Sequence, residues 1–170
     1  MSWYRIQVRS RLAADAATVW AHARTLRGVN LELAPLRMSG PQDLVLDEVP
    51  LGRPVLRSLV TAFRILPVDI HELTILSITP GHGFHERSRS LWESRWIHRR
   101  TIEPAADGCT VVDDVTFSPR VFGSVLRGVI TRAFAGRHHQ LRRLFGGDVA
   151  PPIVESLLPE PAISDHARST

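Results

Sequence analysis

Polar and apolar residues alternate at the start of the chain: Tyr4, Ile6 and Val8 share one face, Arg5, Gln7 and Arg9 the other, and the alternation reaches Leu12. A period of two predicts a half-buried strand. The period then lengthens. Asp15 stands as an N-cap ahead of a helix over 16–26, where Val19, Trp20, Ala23 and Leu26 recur at helical spacing. A second short helix is predicted around 29–33 and closed by Pro35, which disfavours helix in the residue before it.

Period two returns from Leu36 to Ser118, with strand candidates at 43–49, 57–66, 69–79, 83–90, 93–103 and 109–118. The clearest reversal is Glu103-Pro104-Ala105-Ala106-Asp107-Gly108, where Asp-Gly supplies the positive backbone torsion of a tight turn. From about 121 to 145 the period is helical again. Phe122, Val125, Leu126, Val129, Ile130, Ala133, Phe134, Leu141, Leu144 and Phe145 form one stripe, and the arginines mostly take the other face.

Consecutive strands followed by one long helix do not suit a parallel βαβ fold. They suit an α+β fold with a curved antiparallel sheet wrapped around the C-terminal helix, two short helices after the first strand, and a cavity between sheet and helix. The 170 residues fill one such domain, predicted over 1–147. After Gly146-Gly147 the chain becomes proline-rich, with Pro151-Pro152 and Pro159-Glu160-Pro161, and residues 148–170 read as a flexible tail.

Composition narrows the function classes. With 44% hydrophobic and 22% charged residues the chain is neither disordered nor fibrous. The single cysteine, Cys109, excludes an intrachain disulfide and suits a cytoplasmic protein. No apolar run approaches the ~20 residues of a membrane span, so no stable membrane insertion is expected. The net charge of +4 is carried by 21 arginines and no lysine. Six of them (Arg120, Arg127, Arg132, Arg137, Arg142, Arg143) lie between Val115 and Gly147, where no acid occurs, which makes a local basic face. No base-reading motif accompanies it, so nucleic acid is not expected as a partner, and a solvated face or a docking face for an acidic protein or anionic membrane remain as readings.

The informative polar residues lie within the strands. Trp96, His98, Arg100 and Ile102 share one face, as do Val111, Asp113, Val115 and Phe117. If the 105–108 hairpin keeps both faces inward, paired numbers sum to 211 or 213, opposing Asp113 to His98 or to Arg100. A turn near Leu91 likewise brings Glu86 beside Trp96 or His98. A polar cluster of Glu86, His98, Arg100 and Asp113 is therefore predicted in an apolar sheet face. It could fix sheet register by mutual pairing, hold the polar end of a ligand, or do acid/base work with His98 as the titrating group and Asp113 or Glu86 setting its tautomer. His138, at the edge of the helical stripe, could reach the cavity mouth.

Other motifs fail. His71-Glu72 and His85-Glu86 begin like HExxH, but Ile75 and Arg89 stand where the second histidine belongs, so no metal site is expected. Gly81-His82-Gly83 is only the start of a dinucleotide fingerprint, and no cofactor motif survives.

The combined pattern resembles the START-like helix-grip superfamily (SRPBCC), in its polyketide cyclase/dehydrase and lipid-transport branch. The likeness, over about 3–146, is carried by Ala14-Asp15-Ala16-Ala17-Thr18-Val19-Trp20, Val29-Asn30-Leu31-Glu32-Leu33-Ala34-Pro35, Phe84-His85-Glu86, Trp96-Ile97-His98-Arg99-Arg100, the run Asp107 to Phe117, and the closing run Phe134 to Leu141. The chain departs from the branch at Ser90-Leu91-Trp92, where a Gly-Pro-Phe-like turn is usual, and at Arg100, where a second histidine or an aromatic is usual. The resemblance implies a seven-stranded antiparallel sheet around the helix and a hydrophobic cavity.

Two functions are expected from these readings. The first is binding of a hydrophobic or amphipathic small molecule such as a lipid, isoprenoid or polyketide. Trp96, Val115, Phe117, Leu126, Ile130 and Phe134 would form walls, and Glu86, His98, Arg100 and Asp113 would hold polar groups, Arg100 favouring a carboxylate or enolate oxygen. The alternative is a cyclase, aromatase or dehydratase in the same cavity, with His98 moving a proton and Arg100 stabilising oxyanion charge.

Overall fold

The computed structural model describes residues 2–157. Strand β1 (Trp3–Leu12) buries Tyr4, Ile6, Val8 and Leu12, the face its alternation predicts. Helix α1 (Ala16–Ala23) is capped by Asp15, whose carboxylate accepts from Thr18 N–H at 2.7 Å. The predicted 16–26 helix breaks early. The Thr25 hydroxyl accepts from Gly28 N–H at 3.0 Å and starts helix α2 (Leu26–Leu33), so the boundary between the two helices falls at Arg24-Thr25.

Seven further antiparallel strands follow the predicted rhythm except at the two ends: β2 (Leu36–Met38), β3 (Pro54–Ala62), β4 (Leu66–Thr79), β5 (Gly83–Ser88), β6 (Glu93–Ala105), β7 (Gly108–Pro119) and, beyond helix α3 (Gly123–Phe145), the short β8 (Asp148–Val149), where no strand was predicted. The strand expected at 43–49 does not form. Its backbone is instead spent on the helix junction, with Leu26 N–H donating to Leu44 C=O and Leu46 N–H to Arg24 C=O, and Leu46–Glu48 close into a 3₁₀ turn. Leu44 and Leu46 mimic a strand pattern because both line one wall.

The sheet runs β2-β3-β4-β5-β6-β7-β1-β8, and a ninth strand, β9 (Ile153–Leu157), pairs with β1 from Trp3 to Gln7. The sheet thus has nine strands where seven were expected. Of the tail expected over 148–170, residues 148–149 and 153–157 form two strands that pair along the free edge of β1; the part beyond 157 lies outside the described residues. All five β9 side chains are exposed, so its pairing rests on main-chain hydrogen bonds and carries no burial signal.

At the β6–β7 turn Gly108 has φ 133°, and a Cβ there would fall 2.0 Å from Leu12 O, so both torsion and space require glycine. The chain is α+β with the helix-grip arrangement: the sheet curves around α3, while α1 and α2 close one end. No helix among the described residues is long and apolar enough to cross a membrane.

Candidate functional site

Helix α3 does not close onto the sheet along its whole length. Between them lies a partly open cavity of about 740 Å³, walled by α2, strands β2 to β6 and α3. Most of its lining is aliphatic or aromatic. The mouth is rimmed by exposed Leu66, Trp92, Phe122, Val125 and Val129. Trp92, in the unusual Ser90-Leu91-Trp92 turn, is pinned over β4 by its indole N–H donating to Val68 C=O at 2.7 Å, and Leu91 N–H donates to Asp69 Oδ1 at 3.0 Å.

Six of the ten predicted site residues line this cavity: Glu86, Trp96, His98, Leu126, Ile130 and Phe134. The other four do not. Val115 and Phe117 are wholly buried in a cluster with Tyr4, Ile6 and Val8. Arg100 and Asp113 face inward as alternation requires, but Glu32 of α2 and Arg137 of α3 close over them. So placed, these four do not border the cavity in which walls and polar contacts were expected of them.

The hairpin takes the 213 register, pairing Arg100 with Asp113 and His98 with Val115, and β5 sets Glu86 opposite His98. The Arg100 guanidinium donates to Asp113 from Nε at 2.7 Å and Nη2 at 2.6 Å, and to Glu32 Oε1 from Nη1 at 2.9 Å. Arg137 donates to Glu32 Oε2 at 2.9 Å. His138 is fully buried behind the cavity, with Nε2 3.2 Å from Asp113 Oδ2 and Nδ1 2.5 Å from the Ser10 hydroxyl, so it does not reach the mouth.

His98 is held between two carboxylates, with Nε2 2.9 Å from Asp113 Oδ1 and Nδ1 3.3 Å from Glu86 Oε2. An ionised carboxylate only accepts, so both ring nitrogens serve as donors and the ring is drawn toward the imidazolium. Burial alone would depress the pKa of His98, but the Asp113 charge and the bonds to Asp113 and Glu86 outweigh it and raise it. Burial likewise opposes the charge on Asp113, Glu32 and Glu86. It is overcome by Arg100 beside Asp113, by Arg100 and Arg137 beside Glu32, and by His71 and His98 beside Glu86, which hold all three carboxyls below their ordinary values. Arg100 and Asp113 satisfy one another in the interior, away from the cavity. Of the predicted polar cluster, only Glu86 and His98 meet the cavity.

Sequence reading missed Glu32, His71 and Arg137. His71 lines the cavity with Nε2 2.9 Å from Glu86 Oε1. Its signal was the inward series Asp69, His71, Leu73, Ile75 along β4. Arg137 follows Phe134 by three and precedes Leu141 by four, which puts it on the buried stripe of α3 rather than on the outer face. Glu32 had no signal of its own, because a glutamate on a short helix is ordinarily solvated.

The fold is shared with solved structures at low identity. Protein CV1439 from Chromobacterium violaceum superposes with a TM-score of 0.66 at 14% identity, covering 85% of this chain and 99% of that one. The Zhui aromatase/cyclase from Streptomyces sp. R1128 gives 0.60 at 12%, covering 86% and 99%. Ara h 8.0201 gives 0.58 at 12%, covering 84% and 97%. No curated protein matches the chain. The sheet gripping α3 is the fold of these structures, and the chain belongs to the family described as "Domain of unknown function (DUF8410)", which matches residues 10–145.

Proposed function

We propose that this protein binds a hydrophobic or amphipathic small molecule in the cavity between the sheet and α3. The observation that carries the reading is the cavity itself: about 740 Å³, partly open, apolar except for a few polar groups around Glu86. Protein interiors are ordinarily close-packed with few voids larger than a water molecule. Ligand sites, in contrast, are concave spaces of roughly 300–1,000 Å³ lined by apolar groups with a few convergent polar ones. Ile130 and Phe134 supply the α3 wall, Trp96 the sheet wall, and Glu86 with His98 the polar end.

Native mass spectrometry of gently purified protein, with denaturing extraction of any adduct, tests this directly. A stoichiometric small molecule, or saturable binding of the fluorophore N-phenylnaphthylamine, supports the reading; a clean mass together with no fluorophore binding overturns it.

The fold shared with the Zhui aromatase/cyclase supports a second reading, a cyclase, aromatase or dehydratase in the same cavity. Its expected machinery finds no support. A general base needs a free nitrogen, and both nitrogens of His98 are engaged. Arg100 is engaged by Glu32 and Asp113 and does not line the cavity, so it offers no oxyanion contact.

A further inference from the structure

We infer that His71 is the polar anchor of the cavity, donating from Nδ1 to a neutral carbonyl or hydroxyl oxygen of the bound molecule. This rests on the cavity being a ligand site. The imidazole is set from two sides. Glu86 Oε1 lies 2.9 Å from Nε2, and the Trp96 indole meets the ring edge-on at a centroid distance of 5.8 Å, both partners being cavity residues themselves. Because ionised Glu86 can only accept, Nε2 carries a proton, and among the described residues Nδ1 has no hydrogen-bond partner.

Apart from the Trp96 indole N–H, a buried donor without a partner, the other polar side chains around the cavity are already engaged. Glu86 also takes the Ser88 hydroxyl at 2.5 Å and His98 Nδ1 at 3.3 Å. Both His98 nitrogens face carboxylates, and Arg137 is bound to Glu32. Asp69 accepts from the Leu91 N–H, and the Ser90 hydroxyl donates to Glu93. His71 is thus the titratable side chain with an uncommitted ring nitrogen at a site built to fix its orientation. Burial by itself would lower its pKa, yet Glu86, Asp69 and Glu93 raise it, which favours a proton on Nδ1.

Charge then selects the ligand class. Three carboxylates of the cavity wall, Asp69, Glu86 and Glu93, act on His71, while the Arg137 charge is answered by Glu32 and the Arg100 charge by Asp113. Even with His71 and His98 both protonated, this wall carries no excess of positive charge. A carboxylate ligand would meet like charge, whereas a ketone or alcohol oxygen takes the His71 proton without that repulsion. The anionic ligand expected from Arg100 is therefore replaced by a neutral amphiphile.

The test uses three probes of one shape, naphthalene, methyl naphthyl ketone and naphthoate, displacing N-phenylnaphthylamine from the full chain. In the wild type the ketone should bind about tenfold more tightly than naphthalene, the ratio that one charge-assisted hydrogen bond supplies, and naphthoate no more tightly than the ketone. In His71→Phe the ketone should bind no more tightly than naphthalene, the two affinities being compared as a ratio within that variant. In the wild type the nitrogen NMR resonance of His71 Nδ1 should move on adding ketone while Nε2 stays, a readout that needs no variant. Equal binding of ketone and naphthalene, a ketone advantage that survives His71→Phe, tightest binding of naphthoate, or an unmoved Nδ1 resonance would each overturn the assignment while leaving the cavity reading standing. Failure of the wild type to bind the fluorophore, together with a clean native mass, would instead remove the cavity reading and this one with it.

Discussion

Arg100 and Asp113 face each other across the β6–β7 pair as a two-pronged ion pair, at 2.7 Å and 2.6 Å, with neither side chain reaching solvent. Breaking such a pair from one side leaves a buried charge without its counter-charge. Asp113→Ala strands Arg100 against Glu32 alone and also removes an acceptor from His98 and His138. The expected loss is about 3–5 kcal/mol of unfolding free energy, read from the urea midpoint. A loss below about 1 kcal/mol would mean that water or a neighbouring group replaces the carboxylate.

Ile130 stands on the α3 wall with Phe134. Ile130→Trp puts the larger ring into the empty space, so ligand binding should fall strongly while the fold costs no more than the about 1–3 kcal/mol of moderate overpacking. Fluorophore titration beside a thermal melt separates the two effects. Unchanged affinity in a folded variant would show that the molecule sits elsewhere.

Stability should peak in mildly acidic solution. Asp113, Glu32 and Glu86 have folded pKa values below their ordinary 3.8 and 4.5, so their contribution is complete above those values and lost as pH falls further. His71 and His98 are raised above 6.5, so their contribution is complete below 6.5 and lost as pH climbs through the folded values. Urea unfolding from about pH 3 to about pH 9 should therefore decline on both sides of a plateau near 5 to 6.5, and His98→Gln should flatten the alkaline limb. Stability that climbs steadily to about pH 8 would contradict the imidazolium assignment.

Ending the chain at Gly147 removes β8 and β9 and uncovers the β1 edge from Trp3 to Gln7. Unpaired strand edges template association between molecules. The shortened protein should retain the α3 grip but self-associate on concentration, as seen by light scattering, and its β1 amides should lose exchange protection. A monodisperse shortened chain with protected amides would show that β9 contributes nothing to the edge.

The sheet was legible from Leu66 to Pro119 because each strand there has one buried face, which writes period two into the residues themselves. The same reasoning placed Glu86, His98, Arg100 and Asp113 together and narrowed the hairpin to two registers. Between those registers the local pattern is neutral, since either one keeps the faces inward. The 43–49 segment and β9 escaped for opposite reasons: one alternates without a sheet partner, and the other has a partner without a buried side chain.

By itself the chain's periodicity determined the α+β class, the long gripping helix and the inward face of β6 and β7, because burial of one face is a local property repeated along a strand or helix. What only the tertiary structure decided is which inward polar groups meet the cavity. Glu32 comes from α2 and Arg137 from α3, both remote in sequence from β6, and their closure over Arg100 turns the expected ligand contact into buried structure. The uncommitted nitrogen passes to His71 for the same reason: satisfaction of buried hydrogen bonds is settled by every element that converges on a point, and no single strand records the others.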